Sequence, residues 1–570
     1  MFMSKQQLSI AITGAGGAGV ISCGELLLQA WARQGGRGLL RKAYGPQIRG
    51  GESAALLKLT PDERYTAASH YDMVLALDWD NFGRFEDEIR LGPDSWVLCD
   101  VAGDLPPGVT AVGARVVRVP FTDLAAECHP DGRVNMLALG LLGRLLDLPA
   151  ASMSELAEQK LAGKPQAYRE AASACIARGA ATELDCQLAA PPLGAAGAWY
   201  LSGNQAAGLG ALESGIRFVA AYPITPASDV LEWMAGPLEQ LGGHLLQAED
   251  ELAAINMTIG AAFGGIPSFT ATSGPGLALM TESIGLAVAS ETPVTVLNVM
   301  RGGPSTGIPT KSEQSDLNIA LNGLHGDAPH LVLAPLDIAD CVFTTGWAVQ
   351  LAQHLQTAAI VLSDQFIGQS TAIVSQPRRC VPLSPADSEC GGDADYLRYK
   401  LTSSGVSTLA FPGATDHRFT ADGLEHSERG TPSARQSDHQ QQLEKRAHKL
   451  EAFEFGADWA QLDGDGPVAL LSFGSSSAAV AEAAELLAER GVATRVISLR
   501  LLAPLQTAAL GAAVKGSERI LVVEQNHGRQ LFHYLRGQLD FDQPVHSYAM
   551  AGPVPLAADN IVQAVMEVIN

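Results

Sequence analysis

The chain has 570 residues, more than a single hydrophobic core accommodates, so we expect about three or four domains. Hydrophobic residues make up 47% of the chain and charged residues 17%, a balance that excludes an intrinsically disordered protein. There are 38 Lys and Arg against 61 Asp and Glu, which gives a net charge of −23. Nucleic acid is therefore excluded as the main partner, because binding it requires a phosphate-neutralising surface.

The first predicted domain opens on a strand, a glycine-rich turn and a helix. Residues 8–13 form a short apolar run that ends at Gly14, and a helical pattern begins near Val20. Further elements are two predicted strands and one predicted helix, at residues 73–77, 96–99 and 136–146. The pattern predicts a doubly wound α/β domain over residues 1–188, followed by a linker rich in Ala, Pro and Gly over residues 189–199.

Two more α/β patterns follow, separated by a polar segment. The second domain is predicted over residues 200–375, with strands at 218–221, 268–272, 294–299 and 359–362. Residues 376–465 are rich in Pro, Ser, Asp and Arg, which indicates a connecting segment that is either disordered or wraps a neighbouring domain or subunit. The third domain, residues 466–570, has predicted strands at 468–474, 494–499 and 519–523 and a helix at 476–490. The sequence thus predicts an α/β protein of three unlike domains.

The sequence carries no pattern for export, membrane insertion or a local metal site. The N-terminal residues lack the basic start, apolar core and cleavage site of a signal peptide, so we expect a cytoplasmic protein. The longest uncharged run, residues 252–281, is broken by glycine and proline, which predicts helix, strand and loop and no membrane span. The eight cysteines form no C-x-x-C pair, so we expect free thiols and no locally encoded zinc or iron–sulfur site.

Two glycine-rich loops lie in the first domain. Residues 14–19 read Gly-Ala-Gly-Gly-Ala-Gly, a G-x-G-x-x-G pattern that lets a diphosphate approach a helix N-terminus. Residues 26–49 contain no Asp or Glu, so the acidic residue that would bind a nucleotide ribose is missing and a nicotinamide dehydrogenase is disfavoured. A tight turn or another anionic ligand stays open. In the second loop, residues 44–51, Arg49 is either an anion clamp or part of a structural turn.

Four loops of the second domain carry polar residues that could take part in binding or catalysis. They are Tyr222-Pro223-Ile224-Thr225-Pro226, Glu249-Asp250-Glu251, Thr272-Ser273-Gly274-Pro275-Gly276 and Arg301-Gly302-Gly303-Pro304-Ser305. The carboxyl ends of parallel strands line the ligand crevice of an open α/β sheet, so we expect these loops to converge. The two prolines stiffen the first loop around Thr225. Glu251 occupies a helix N-terminus, where a carboxylate is either a cap or a functional group.

These loops resemble the pyrimidine-binding domain of thiamine-diphosphate enzymes, specifically the alpha subunit of 2-oxoacid:ferredoxin oxidoreductases. The motifs that carry the resemblance are residues 222–226, Glu251 followed nine positions later by Gly260, residues 272–276 and Arg301. The N-terminal domain, with Tyr-Gly-Pro-x-x-Arg-Gly-Gly at residues 44–51, is similar to the family's gamma domain. Residues 423–430 and 444–446 are similar to 2-oxoglutarate-type alpha subunits, and the C-terminal domain is similar to their transketolase-C-like domain.

The resemblance implies a role for each matched residue. Glu251 would hydrogen-bond the aminopyrimidine of thiamine diphosphate and favour deprotonation of the thiazolium carbon. Thr225 and Arg301 would hold the C1 carboxylate of the 2-oxoacid, Arg301 by a charge-assisted contact. Further contacts are implied to the cofactor for Pro223, Ser273 and Gly274, and to coenzyme A for Arg49.

One half of a thiamine site is missing from the chain. The family's Mg²⁺ diphosphate motif is Gly-Asp-Gly with a downstream Asn. Residues 464–466 read Gly-Asp-Gly, but no Asn follows them at the motif's spacing, so they are predicted to form the turn into the third domain. The resemblance therefore implies a beta subunit that carries the diphosphate and Mg²⁺ site and the [4Fe-4S] clusters. We expect a dimer of heterodimers. Ferredoxins are acidic, so the charge of −23 leads us to expect ferredoxin docking on the beta subunit.

The sequence therefore predicts the alpha–gamma subunit of a CoA-dependent 2-oxoacid:ferredoxin oxidoreductase, with 2-oxoglutarate as the favoured substrate. Oxidative decarboxylation would yield acyl-CoA and CO₂. The same chemistry on pyruvate or another 2-oxoacid stays open, because no residue uniquely reads the distal part of the substrate. A nucleotide-binding regulatory scaffold without catalysis is the alternative from another class, and intact Glu251, Thr225 and Arg301 argue against it.

Overall fold

A computed structural model describes residues 7–45, 51–63, 65–80, 82–130, 132–194, 197–383, 396–413 and 417–569. The chain forms two compact units. The first unit comprises residues 1–202, 369–376 and 554–559, and the second comprises residues 203–368, 377–553 and 560–570. Over the described ranges, none of the helices combines the length and the apolar character that crossing a membrane requires.

The helices and strands follow one another in α/β alternation. Up to the linker they are β1 (Leu8–Gly14), α1 (Val20–Arg33), β2 (Arg37–Tyr44), β3 (Ser53–Thr60), β4 (Met73–Ala76), β5 (Trp96–Asp100), α2 (Pro107–Ala111), β6 (Arg115–Val119), α3 (Phe121–Cys128), α4 (Val134–Leu145), α5 (Ala150–Lys160) and α6 (Gln166–Ala181). Then come β7 (Trp199–Ser202), α7 (Gly203–Glu213), β8 (Phe218–Ala221), α8 (Ser228–Gln240), β9 (His244–Gln247), α9 (Glu251–Phe263), β10 (Ser268–Thr272), α10 (Gly274–Ala289), β11 (Val294–Met300), α11 (Leu317–Asn322), β12 (Leu331–Leu333), α12 (Asp340–Leu355), β13 (Ala358–Asp364), α13 (Gln365–Gln369) and β14 (Thr371–Val374). The last are α14 (Gln436–Glu451), β15 (Ala460–Asp463), β16 (Val468–Phe473), α15 (Ser476–Glu489), β17 (Thr494–Leu499), β18 (Leu501–Ala503), α16 (Thr507–Val514), β19 (Arg519–Glu524), α17 (Gln530–Gln538), β20 (Val545–Ala549) and α18 (Ala558–Ile569).

The first unit is built on one mixed sheet in the order β6-β5-β4-β1-β3-β2-β14-β7. Strands β6, β5, β4 and β1 are parallel, as a doubly wound domain requires, whereas β3, β2, β14 and β7 pair antiparallel. Helices α1 and α4 cover one face with leucines and with Trp31. Strands β7 and β14 complete this sheet, although the sequence places the first at the linker boundary and the second inside the range 200–375.

Strand β2 escapes detection in the sequence because basic residues interrupt its apolar pattern. Arg41 nevertheless lies buried in the sheet, where its guanidinium pairs with the buried carboxylate of Glu88. Burial of a charge is tolerated when the charge is paired and hydrogen-bonded. Glu88 lies 47 positions away from Arg41 in the sequence, so no local pattern predicts this ion pair.

The second unit contains two sheets. The larger has the order β18-β12-β13-β11-β10-β8-β9, in which every pair is parallel except β12 and β18. The smaller has the order β15-β17-β16-β19-β20, with only β15 antiparallel to its neighbour. Strand β18 belongs by sequence to the third predicted domain, yet it pairs with β12 of the second. This pairing joins the two predicted domains in one unit.

The described part of the connecting segment is folded onto the second unit. Helix α14 buries two lysines against Glu291: Nζ of Lys445 lies 2.5 Å and Nζ of Lys449 lies 3.2 Å from its carboxylate oxygens. Arg398 donates to the carbonyl oxygen of Glu291 at 2.8 Å and to the side chain of Gln356 at 2.9 Å. Polar composition in this segment therefore reflects buried ion pairs. In its described residues, 376–383, 396–413 and 417–465, the segment packs against the predicted second domain, which carries Glu291 and Gln356.

Candidate functional site

The four loops singled out in the sequence meet at one edge of the larger sheet. Strands β8, β9, β10 and β11 are parallel neighbours, so their carboxyl ends lie side by side and deliver the loops to the same edge. Two groups of contacts join them. Glu251 meets the β10–α10 turn, and Arg301 meets the loop that follows β8. The predicted convergence is confirmed.

Glu251 is the first residue of α9 and is only 7% exposed. The neighbouring Asp250 caps the helix, because its Oδ1 accepts a hydrogen bond from the amide of Ala253 at 2.7 Å. Glu251 is thus not the capping residue. Its carboxylate packs against Gly276, where a methyl group would lie 2.9 Å from Oε1 of Glu251 and 2.0 Å from Oγ1 of Thr272. Glycine at position 276 is what lets the carboxylate reach this turn.

Arg301 follows β11 directly and reaches the loop after β8. Its Nη1 donates to the carbonyl oxygen of Thr225 at 2.5 Å, and its Nε is buried without a hydrogen-bond partner among the described residues. Desolvation lowers the pKa of Arg301, and the charge of Asp316 partly opposes this effect. Asn204 holds the same loop by donating to the carbonyl oxygen of Pro226 at 2.9 Å. A buried guanidinium with an unused donor is suited to bind a carboxylate.

The other residues implied in cofactor binding lie on two of these loops. Ser273 precedes α10, and its Oγ is buried without a partner in the described part of the chain. Gly274 opens the helix and faces Asp316, since a methyl group there would lie 2.7 Å from both carboxylate oxygens. Pro223 is exposed, two residues before Thr225. The structure thus places Ser273 and Gly274 beside the turn that Glu251 contacts.

Sequence reasoning missed Asp316 and Asn298. The Asp316 carboxylate accepts a hydrogen bond from Nδ2 of Asn298 at 2.9 Å. Burial raises the pKa of Asp316 to about 6, with the hydrogen bond from Asn298 opposing the shift. A fully buried Asn in the mostly apolar strand β11 was the available signal, because a buried amide needs a partner.

The Gly-Asp-Gly motif lies in the turn between β15 and β16, as predicted. Gly464 has a φ of +70°, and the carbonyl oxygen of Asp465 accepts a hydrogen bond from Nη2 of Arg495 at 3.0 Å. The described ranges contain no group of three or more His, Cys, Asp or Glu side chains placed to hold a metal ion. Seven cysteines there carry free thiols, and Cys390 lies outside the described residues.

A cleft of about 780 Å³ opens in the first unit around the glycine-rich turn. The residues that line it include Gly17, Gly19, Asp78, Arg133, Asn135, Lys160, Lys164 and Tyr168. Arg133 lies 4.8 Å from the ring centroid of Tyr168. The amide of Ala15 donates to both oxygens of Asp78, at 3.0 and 2.8 Å, so a carboxylate takes a donor that a diphosphate would use. Arg49 lies outside the described residues.

Three family profiles match the chain in succession. They are "Pyruvate ferredoxin/flavodoxin oxidoreductase" over residues 9–182, "Pyruvate flavodoxin/ferredoxin oxidoreductase, thiamine diP-bdg" over residues 209–445, and "Transketolase, C-terminal domain" over residues 459–566. Their order confirms the predicted three-domain α/β architecture. The middle profile extends into the connecting segment, which agrees with its folding onto the second unit.

Individual proteins resemble the chain over nearly its full length or over a large part of it. The alpha subunit of 2-oxoacid:ferredoxin oxidoreductase 2 from Aeropyrum pernix is 30% identical, over 96% of this chain and 97% of that protein. The 2-oxoglutarate synthase subunit KorA of Archaeoglobus fulgidus is 36% identical, over 58% of this chain and 88% of that protein.

A solved structure shows the same similarity in three dimensions. The 2-oxoglutarate:ferredoxin oxidoreductase from Magnetococcus marinus, with 2-oxoglutarate, coenzyme A and succinyl-CoA bound, is 32% identical to this chain. It superimposes with a TM-score of 0.90 over 99% of this chain and 100% of that chain. The chain therefore belongs to the family of 2-oxoacid:ferredoxin oxidoreductase alpha subunits, in the form that carries a gamma domain at its N-terminus.

Proposed function

We propose that this chain is the alpha–gamma subunit of a cytoplasmic, CoA-dependent 2-oxoglutarate:ferredoxin oxidoreductase. The observation that carries the proposal is the buried Arg301 guanidinium, joined to the loop of Thr225 at the sheet edge that also holds Glu251. The relatives from Archaeoglobus fulgidus and Magnetococcus marinus support 2-oxoglutarate as the substrate. Oxidative decarboxylation would give an acyl-CoA and CO₂.

The turn around Glu251 fits the aminopyrimidine of thiamine diphosphate. The Glu251 carboxylate is held at a helix N-terminus that another residue caps, and the Ser273 hydroxyl beside it is buried without a partner in the described chain. When bound, thiamine diphosphate supplies the nucleophilic carbon for the decarboxylation. In this proposal Glu251 orients the pyrimidine ring and holds a proton at its carboxylate. Gly276 leaves the room that this carboxylate needs beside the turn, and Gly274 lies in the same turn, which the ring would face.

Arg301 is the residue that binds the C1 carboxylate of the 2-oxoacid in this proposal. One of its donors is used by the carbonyl oxygen of Thr225, which fixes the guanidinium, and in this proposal the remaining donors of the guanidinium bind the substrate. The burial that lowers its pKa also removes competing water, so the charge-assisted hydrogen bond is stronger than at an exposed arginine. In this proposal Thr225, whose carbonyl oxygen Arg301 contacts, contributes its hydroxyl to the same carboxylate.

The outer faces of α9 and α10 are suited to a beta subunit. They expose Leu252, Met257, Gly260 and Leu279, next to the helix ends that hold Glu251 and Ser273. An exposed apolar patch beside a functional site is typical of a protein–protein interface. We propose that the beta subunit covers this face, provides the diphosphate and Mg²⁺ site and the [4Fe-4S] clusters, binds ferredoxin, and assembles as a dimer of heterodimers.

The cleft in the first unit is the proposed site of coenzyme A. Arg133, Lys160 and Lys164 provide cationic side chains for its phosphates, and Tyr168 provides an aromatic face for its adenine. The Asp78 carboxylate occupies one backbone donor of the turn, so in this proposal the phosphates bind at the cationic side chains and not in the turn itself. The role of Arg49 on this path stays a sequence-based prediction.

The test is anaerobic co-expression with the neighbouring beta-type chain, followed by an assay of CoA-dependent viologen reduction with a panel of 2-oxoacids. The proposal expects 2-oxoglutarate to give the highest kcat/KM and the purified chain alone to be inactive. A preference for pyruvate or another 2-oxoacid would refute the substrate assignment only. A complex that assembles but binds no thiamine diphosphate would refute the proposed thiamine-dependent catalysis and favour a regulatory scaffold.

A further inference from the structure

The loop that begins with Arg301 is held by the third predicted domain. It runs from the end of β11 to the start of α11, and its first part closes on itself, with the amide of Ile308 donating to the carbonyl oxygen of Gly302 at 2.8 Å. Its second part contains Gln314, which has no exposed surface. All the partners described below lie in the second unit.

Gln314 fills the crevice at the topological switch point of the smaller sheet. Strands β16 and β19 are parallel neighbours there, and the chain leaves them toward opposite sides. The Gln314 side chain donates from Nε2 to the carbonyl oxygen of Phe473 at 2.7 Å and accepts from the amide of Gln525 at 2.9 Å. The backbone amide of Gln314 donates to the backbone carbonyl oxygen of Gln525 at 2.7 Å, and the backbone carbonyl oxygen of Gln314 accepts from Nδ2 of Asn526 at 3.3 Å.

The crevice is shaped for this side chain. Gly474, directly after β16, has a φ of +59°, and a methyl group there would lie 2.6 Å from Nε2 of Gln314. A switch-point crevice is where open α/β sheets ordinarily bind a ligand. Here the chain itself supplies the occupant. The third predicted domain therefore binds the loop by enclosing the Gln314 side chain in this crevice.

A second contact holds the same loop closer to Arg301. Gln530, at the start of α17, donates from Nε2 to the carbonyl oxygen of Ser315 at 2.8 Å and accepts from the amide of Asn318 at 2.8 Å. The Ser315 hydroxyl in turn approaches the carbonyl oxygen of Arg301 at 3.5 Å. Asp316, the next residue, faces Gly274 of the cofactor turn.

We propose that Gln314 and Gln530 are positioning residues through which the transketolase-like domain fixes Arg301 for binding of the 2-oxoacid carboxylate. The inference rests on the proposed function of Arg301 and deepens it. Neither glutamine reaches the substrate, and each acts by holding the backbone that carries the guanidinium. Loosening the loop lowers the fraction of enzyme whose Arg301 is in place, so it weakens substrate binding more than it slows chemistry.

The test uses the assembled complex with Gln314→Met and, separately, Gln530→Met, which keep side-chain length but remove the hydrogen bonds. The expected result is a KM for 2-oxoglutarate raised about five- to tenfold, with kcat within about twofold of wild type and the affinity for thiamine diphosphate and the KM for coenzyme A unchanged. Gln563→Met is the matched control, because Gln563 bonds only to Glu567 on the terminal helix in the described structure, and it should change none of these constants.

A second readout does not depend on turnover. Hydrogen exchange of peptides covering residues 302–316 should be faster in both variants, whereas exchange in β11 should match wild type. An unchanged KM in an active, assembled complex would overturn the inference while leaving the proposed function intact. If the wild-type complex is inactive the proposed function fails, and unchanged exchange in residues 302–316 would then separately overturn the role of the two glutamines.

Discussion

The buried cluster around Glu291 allows a strong prediction about stability. The Glu291 side chain has no exposed surface, and it is the carboxylate partner of Lys445 and Lys449, whose ammonium groups are also buried. Burial alone would raise the pKa of Glu291, but the charges of Lys449, Lys445 and Arg398 hold it well below its ordinary value. The cluster ties the connecting segment to the second unit, so its loss should release that segment.

Glu291→Gln should destabilise the second unit by about 3 to 5 kcal/mol, because it leaves two buried ammonium groups without a counter-charge. For a unit of this size that corresponds to a decrease in Tm of roughly 4 to 7 °C, measured by scanning calorimetry at pH 7.5. Below about pH 4.5 the difference should begin to shrink, because the Glu291 carboxyl of the unfolded wild-type chain takes up a proton there while the native carboxylate, with its lowered pKa, stays ionised. The contribution is fully lost only once the pH has fallen through that lowered pKa.

Two variants complete this test. Glu213→Gln removes a partly exposed ion pair with Arg379 and should cost at most about 1 kcal/mol. Replacing Glu291, Lys445, Lys449 and Arg398 together by Met should recover most of the stability, because a buried ion cluster exchanged for apolar side chains is close to neutral. A Glu291→Gln protein that unfolds within about 1 °C of wild type would refute the reasoning.

Three further predictions concern the site. Arg301→Lys should lower kcat/KM for the 2-oxoacid by about 10- to 100-fold and leave the affinity for thiamine diphosphate unchanged, because lysine lacks the planar, two-pronged donor geometry of the guanidinium. An equal decrease in kcat/KM and in thiamine diphosphate affinity would contradict this prediction. Gly276→Ala places a methyl group 2.0 Å from Oγ1 of Thr272 and should cost about 1 to 3 kcal/mol in denaturant unfolding and reduce activity. The control Gly236→Ala, at an exposed position of α8 where a methyl group meets no neighbour, should change neither stability nor activity. Burial raises the pKa of Asp316 to about 6, so the wild-type protein loses stability as the pH rises from about 4 to 6. Asp316→Asn should therefore be more stable than wild type by about 1 to 3 kcal/mol at pH 8 and equally stable at pH 4. Equal stability at both pH values would contradict the raised pKa.

Local sequence patterns identify the elements that bury continuous apolar runs. Strands β16, β17 and β19 lie where apolar runs followed by glycine or polar residues predict them, and α15 begins at the predicted residue 476. The loops of Thr225, Glu251 and Arg301 also converge as predicted, because the carboxyl ends of parallel strands share an edge. These features depend on a few residues at a time.

Contacts between residues distant in sequence were beyond such reasoning. Strands β7 and β14 pair with each other although more than 160 residues separate them, and the run of β14 looks like any other apolar strand. Lys445 and Lys449 lie in a polar helix whose local composition predicts a solvated surface. Their burial is stabilised by the carboxylate of Glu291, about 150 positions earlier, and Lys449 also donates to the carbonyl oxygen of Gln356. Gln314 has no local signature, since its importance lies in a crevice formed by residues 473–474 and 525–526.

The most direct test of the proposed chemistry compares Glu251→Gln with Glu249→Gln in the assembled complex. Glu249 lies two positions away on the exposed part of the same loop, so both variants remove one carboxylate from one segment. We predict that Glu251→Gln lowers 2-oxoglutarate-dependent viologen reduction by at least about 100-fold without disturbing assembly, and that Glu249→Gln stays within about twofold of wild type. A Glu251→Gln complex that keeps wild-type activity would contradict the assignment of Glu251 to the thiamine site.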